Sequence, residues 1–211
     1  QIFRNRRKDI KPTMEGQNKS LFQLFVPLCL ETIFYMLSGM VDTLMLSSVG
    51  DQAVGAVGTA NTYIGVFIIM YSVVSMGMLA VMTQNIGAGR PGIACQAKTL
   101  GLWFNGILGV VMSVFLFFCS DGILYVVGIA PALKEPAVQY LRIVGGGSIL
   151  NAMIPILAGY LRAFGYTKQP LIATVTGNIL NFILNAVFLF HFHLGVQGVA
   201  SATVISKVVN L

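Results

Sequence analysis

Two acidic residues lie within the first long apolar stretch of the chain, where an ionised side chain is costly. Glu31 and Asp42 are eleven residues apart, close to three helical turns, so they share one helix face with Tyr35 and Ser38. An ionisable residue inside a membrane segment is expected to be functional by default. The pattern therefore predicts a helix with one polar face that lines a water-filled cavity.

A second polar stripe lies in the fifth apolar stretch. Asn178, Asn181 and Asn185 have i, i+3, i+7 spacing and so occupy one helix face. Asparagine is a poor helix former, and three in line on an apolar helix need polar partners. Hydrogen bonding between helices, worth about 0.6–2 kcal/mol per contact, is the structural alternative to a functional role.

Three polar positions, one of them Thr203 in the last apolar stretch, fall at a similar depth from the predicted outer membrane surface. At 1.5 Å per helical residue, Asp42 lies about 12 Å, Asn185 about 9 Å and Thr203 about 12 Å from the outer ends of their segments. Oxygen ligands with a single negative charge suit a hard monovalent cation, Na⁺ or a proton carrier. Spacing alone does not show that the three helices touch.

Two further charged positions, Lys207 and Glu31, each allow two interpretations. Lys207 lies about 18 Å into the last segment, and we hypothesise that it competes with a cation for a carboxylate; alternatively it snorkels to the interface. Glu31 either lines the inner cavity or pairs with a neighbouring helix. Tyr35 shares the face of Asp42 and could contact an organic cation through its ring. Asn178 is a candidate cavity-lining residue with these three.

The composition indicates that the helices carrying these residues lie in a bilayer. Of 211 residues, 56% are hydrophobic and 9% are charged, whereas soluble domains carry about 25% charged residues. The net charge of +6 comes largely from the N-terminal tail, and no basic face with interleaved aromatic residues is present, so a nucleic-acid partner is not expected. No HExxH motif, paired catalytic carboxylates or phosphate-binding loop after a strand is present, so we expect no catalytic residues and no cofactor.

Six apolar segments are predicted to be transmembrane helices, which makes the chain an all-α membrane protein. Their approximate ranges are 21–48, 57–85, 94–119, 136–164, 170–192 and 196–211. The last segment has 16 residues, about 24 Å of helix, and we expect it to be truncated. Residues 1–19 are predicted to be a basic cytoplasmic tail, followed by the transmembrane lobe over 20–211. Lys and Arg in the short connections place the N-terminus inside the cell.

Several motifs, in order, resemble the N-terminal half of multidrug and toxic compound extrusion (MATE) transporters. They are residues 41–46 (VDTLML), 53–58 (AVGAVG), 84–89 (QNIGAG), 161–165 (LRAFG), 178–185 (NILNFILN) and 195–203 (GVQGVASAT). The resemblance implies one six-helix lobe of a two-lobed (6+6) antiporter in the cell membrane. Family members export organic cations or drugs in exchange for Na⁺ or H⁺. It also implies that Asp42, Asn181, Asn185 and Thr203 bind the coupling cation.

The chain departs from the family pattern in two ways. Some members have a second aspartate where this chain has Asn185, and the second lobe is absent. We therefore expect a fragment whose partner is a missing C-terminal lobe, with a six-helix protein that dimerises as the alternative. A flippase for lipid-linked oligosaccharides or lipids, from the same broad superfamily, is the alternative function. Few basic residues lie at depth to hold a pyrophosphate, which counts against it.

Overall fold

The protein is helical almost throughout the residues that the computed structural model describes, which are residues 21–211. The predicted tail, residues 1–19, lies outside the described residues. Seven α-helices follow in order: α1 Leu21–Ser47, α2 Asp51–Gly87, α3 Pro91–Val127, α4 Pro131–Gly146, α5 Ser148–Ala163, α6 Lys168–Ala186 and α7 Gly195–Asn210. A π-helical turn, Val187–His191, continues α6. The predicted all-α class is confirmed for this part of the chain.

Helices α2 and α3 are longer than the apolar segments that predicted them. Each has 37 residues, because polar residues such as Asp51 and Asp121 continue the helix beyond the hydrophobic stretch. The end of α3 is set by Gly128, which adopts a left-handed conformation with φ 74°. The backbone N–H of Ile129 then donates to the carbonyl oxygen of Leu124 at 3.3 Å, an arrangement that closes many helix C-termini.

The fourth predicted helix, residues 136–164, is in fact two helices. Helices α4 and α5 meet at Gly147 with a bend of 43°. Three consecutive glycines, residues 145–147, remove side-chain bulk at the bend. They also let neighbours approach closely, since a Cβ added at Gly145 would lie 2.8 Å from the Cβ of Leu116.

Within residues 21–211, four helices are by length and composition able to cross a membrane, namely α1, α2, α3 and α6 with its π-helical turn. The bent pair of α4 and α5 would make a fifth span. Helix α7 has 16 residues, about 24 Å. Large apolar side chains cover the outer surface; Trp103, Phe118 and Val126 are 69%, 73% and 85% exposed. Such a surface fits contact with lipid.

The helices pack in two groups that α4 joins. Helices α2, α3, α4 and α5 contact one another, while α1 packs mainly against α6, which also packs against α7. Contact between α4 and α7 links the groups. Fully buried Asn105 of α3 ties the first group together, donating to the carbonyl oxygen of Ala152 at 2.9 Å and to Oγ of Ser75 at 3.2 Å.

Candidate cation site

Asp42 lies near the C-terminal end of α1, five residues before the helix ends at Ser47. Its side chain is half-buried, whereas much of α1 outside this face is exposed, including Met40 and Leu44 at 62% and 70%. The apolar sequence around Asp42 keeps the helix in the bilayer. The carboxylate is thereby held on the side of α1 that packs against α6.

The side chain of Asn185 joins Asp42 to the polar stripe of α6. Its amide nitrogen donates a hydrogen bond to Oδ1 of Asp42 at 2.5 Å and lies 3.2 Å from Oδ1 of Asn181. Asn185 is fully buried and Asn181 is 4% exposed. The structure therefore brings together three of the four residues that the family resemblance implied as cation ligands.

One oxygen of this cluster is buried and has no hydrogen-bond partner within residues 21–211. It is Oδ1 of Asn185. An unsatisfied buried acceptor is costly, by about 1–3 kcal/mol. A small cation could satisfy it together with the carboxylate, because carboxylate and amide oxygens suit hard cations. The donor set thus fits the predicted type of ligand.

Thr203 reaches the cluster through a tyrosine rather than directly. Its hydroxyl donates to the carbonyl oxygen of Val199 in its own helix at 2.9 Å, which leaves its oxygen lone pairs free to accept. The side chains of Thr203 and Asn61 flank the hydroxyl of Tyr140, which also interacts electrostatically with Asp42. Helices α1, α2, α4, α6 and α7 therefore all contribute a polar group near this level.

Tyr140 and Asn61 were not predicted as part of the site. Tyr140 is 4% exposed and lies nine residues after Pro131 at the start of α4, a rise of about 14 Å. Asn61 lies ten residues after Asp51 at the start of α2, about 15 Å along the helix. From the predicted segment starts at residues 57 and 136, each lies only four residues, about 6 Å, deep, so counting along the sequence did not place them at the level of Asp42.

Asn178 is engaged by the backbone of α1. Its amide nitrogen donates to the carbonyl oxygen of Phe34 at 2.8 Å, so the structure gives it the interhelical hydrogen bond that the sequence analysis weighed as an alternative. A role for Asn178 in lining a cavity stays a prediction.

Glu31 lies toward the opposite end of α1 and forms an ion pair. Its Oε1 accepts a hydrogen bond of 2.5 Å from the guanidinium of Arg162 in α5. Both side chains are mostly buried. Glu31, Tyr35, Arg162 and Thr174 line a cavity of about 250 Å³, and Glu31 and Thr174 also line a neighbouring one of about 240 Å³.

Lys207 lies on α7, one helical turn further along the chain than Thr203. Its ammonium interacts electrostatically with Asp42. Ion pairs closer than 4 Å within residues 21–211 are Arg162 with Glu31 and Lys134 with Asp121, so Lys207 is near Asp42 without contacting it. The described residues contain no group of three His, Cys, Asp or Glu side chains that could hold a metal ion.

Comparison with known proteins identifies the class of protein that this fold represents. A family model described as MatE matches residues 27–187. The chain therefore belongs to the MatE family, which is a family of membrane transporters. Its resemblance to MATE transporters, inferred from the motifs, is confirmed.

Individual relatives agree with the family. The chain is 34% identical over 196 residues to the uncharacterized transporter YisQ of Bacillus subtilis, covering 91% of this chain and 43% of YisQ. It is 29% identical over 200 residues to the probable multidrug resistance protein NorM of Thermotoga maritima, covering 91% and 42%. An outward-facing structure of a multidrug resistance MATE family transporter superimposes with a TM-score of 0.82 at 25% identity, covering 88% of this chain and 41% of that one. The chain thus spans about 43% of the length of the first of these relatives.

Proposed function

We propose that this chain is the cation-binding N-terminal lobe of a secondary active exporter. The complete protein would move organic cations or drugs out of the cell in exchange for inward Na⁺ or H⁺. The observation that carries the proposal is the buried cluster in which Asn185 bonds both Asp42 and Asn181 and keeps an oxygen without a partner. Relatives named as multidrug resistance proteins support the same class of activity.

Each residue of the cluster has a separate part in the proposal. Asp42 supplies the negative charge, Asn181 and Asn185 supply amide oxygens, and Thr203 supplies a hydroxyl beside Tyr140. A bound ion changes the balance between inward-open and outward-open states only by binding one of them more tightly. Asp42 and Asn185 lie on different helices. An ion that binds the carboxylate and breaks its hydrogen bond to the amide would therefore have a different affinity for each arrangement of α1 against α6.

The proposed exporter has an expected location and expected partners. The exporter would lie in the cell membrane with its N-terminus in the cytoplasm, since basic residues concentrate on that side. A C-terminal lobe would complete a cleft for a small organic cation. Exposed Tyr35, on the same face of α1 as Asp42, would contact that cation through its ring.

The test uses the complete protein in proteoliposomes. Efflux of a fluorescent organic cation is measured under an imposed Na⁺ gradient and, separately, under a pH gradient. The Asp42→Asn variant should lose gradient-driven efflux. Asp121→Asn makes the same change at an exposed acid that pairs with Lys134, and it should behave as wild type.

Two outcomes would contradict the proposal. Normal gradient-driven efflux from Asp42→Asn would remove the site assignment. If neither gradient drives efflux in the wild-type protein, the exporter assignment fails and a lipid-translocation assay becomes the test of the flippase alternative.

A further inference from the structure

Lys207 carries an ammonium group within the transmembrane lobe, and the structure leaves it without a close partner. Within residues 21–211 no hydrogen bond from its side chain and no ion pair closer than 4 Å is present. A lysine at this depth is expected to find an acid or a cavity. The role of Lys207 therefore depends on which acidic side chain lies nearest to it.

Elimination leaves Asp42 as that acid. Glu31 is bonded to Arg162, and Asp121 is paired with Lys134. The other acids of the described residues, Asp51 and Glu135, are exposed at the ends of α2 and α4. The electrostatic interaction of Lys207 with Asp42 agrees with this assignment.

The helix geometry places Lys207 beside the cluster. It lies four residues after Thr203, so both occupy one face of α7. Helix α7 runs close to α6 at this level, because a side chain added at Gly177 would come within 3.4 Å of the carbonyl oxygen of Ser206. Gly177 is one turn from Asn181 along α6. Lys207 therefore lies at the seam of α6 and α7, next to the amide stripe.

We propose that Lys207 is an internal counter-cation of Asp42, with which the coupling ion must compete to bind. The inference rests on the proposed function and adds a mechanism for releasing the ion. A carboxylate and one ammonium are neutral together, and a second positive charge between them raises the energy of the site. The coupling ion is therefore held weakly. When it leaves toward the cytoplasm, the Lys207 ammonium keeps Asp42 from remaining an uncompensated charge in the membrane.

The gap between the two groups is what permits competition. A closed ion pair, such as that of Glu31 with Arg162, would occupy the carboxylate continuously. Lys207 instead stays beyond 4 Å, while Asn185 holds one carboxylate oxygen. A long and flexible lysine side chain can approach or withdraw as the ion departs or arrives.

The first experiment measures the concentration of driving ion that gives half-maximal efflux from the complete protein in proteoliposomes. Lys207→Met keeps most of the length of the side chain and removes its charge, and we expect that concentration to fall about tenfold. Lys207→Arg keeps the charge and should stay close to wild type. Lys98→Met makes the same change on α3, where Lys98 lies over the ring of Tyr160. As the matched control, it should leave that concentration unchanged. An unchanged half-maximal concentration in Lys207→Met overturns the inference.

A second measurement does not depend on transport. Thermal unfolding in detergent is compared for Asp42→Asn, Lys207→Met and the double variant. If the two groups compensate each other, either single change leaves an unpaired charge, and the double variant recovers part of the lost melting temperature. Additive losses overturn the pairing. Absence of gradient-driven efflux in wild type, by contrast, contradicts the proposed function. The melting temperatures of the three variants would still show whether Lys207 and Asp42 compensate each other.

Discussion

The amide nitrogen of Asn185 lies 2.5 Å from a carboxylate oxygen of Asp42, so one hydrogen bond joins the candidate ion site to the contact between α6 and α1. Helix α1 packs mainly against α6 and little against the other helices. A change in the hydrogen bonding of Asp42 therefore alters the contact with α6 that is the main packing contact of α1. In the proposed exporter, the position of α1 would respond to occupation of the site.

Replacement of Asn185 by leucine should weaken ion binding far more than the same change at Asn178. Asn185→Leu removes an oxygen ligand and a hydrogen bond to a charged group, worth about 1.5–3 kcal/mol. We expect the half-maximal concentration of driving ion in the efflux assay to rise at least about tenfold.

Asn178→Leu is the matched control because Asn178 lies on the same stripe but bonds the carbonyl oxygen of Phe34. It should lower the melting temperature without changing the ion concentration required. Equal shifts from both variants would show that Asn185 acts only through helix packing.

Much of the candidate site could be predicted because the membrane makes depth readable from sequence. Asp42, Asn185 and Thr203 were placed at one level by counting residues from helix ends. That Asn185 and Asp42 touch could not be predicted, because the counts fix height but not which helices are neighbours. Tyr140 was not predicted because a tyrosine in an apolar helix is often a packing residue. Only its position beside Thr203 and Asn61 distinguishes it from such a residue.

The fold shows the same division between local and long-range information. Hydrophobic stretches located every helix, yet the break between α4 and α5 was not predicted, although the three glycines at 145–147 were visible. Glycines are common in membrane helices that remain straight. Here Leu116 on α3 occupies the space beside Gly145, and a contact between distant segments is not encoded in local spacing.

The ion pair of Glu31 and Arg162 should prove structural rather than substrate-binding. Glu31→Gln and Arg162→Gln each leave one mostly buried charge without its partner, so each should lower the melting temperature and reduce efflux. Breaking such a pair from one side costs about 3–5 kcal/mol when it is fully buried, and less here because both groups retain some exposure.

The double variant Glu31→Gln with Arg162→Gln separates the two roles. If the pair only holds α1 against α5, two neutral amides should restore most of the stability and the efflux together. Restored stability with efflux still reduced would instead assign Glu31 to the organic cation, in the cavity it shares with Tyr35.

Close packing of α3 against α5 should make one glycine irreplaceable while its neighbour one turn earlier tolerates change. A Cβ added at Gly109 would lie 2.8 Å from Cα of Ile149 and 3.0 Å from Cβ of Ala152, whereas one at Gly106 meets nothing within 4 Å. Small residues allow such close approach of helices in membranes. Gly109→Ala must push the backbone of α5 away, which we expect to cost about 1–3 kcal/mol.

Gly106→Ala should leave the melting temperature in detergent unchanged or slightly higher, because alanine favours the helix by up to about 1 kcal/mol. Since α5 continues from the bend at Gly147, displacement by Gly109→Ala should also reduce efflux. Equal melting temperatures for the two variants would mean that α3 and α5 do not pack this closely.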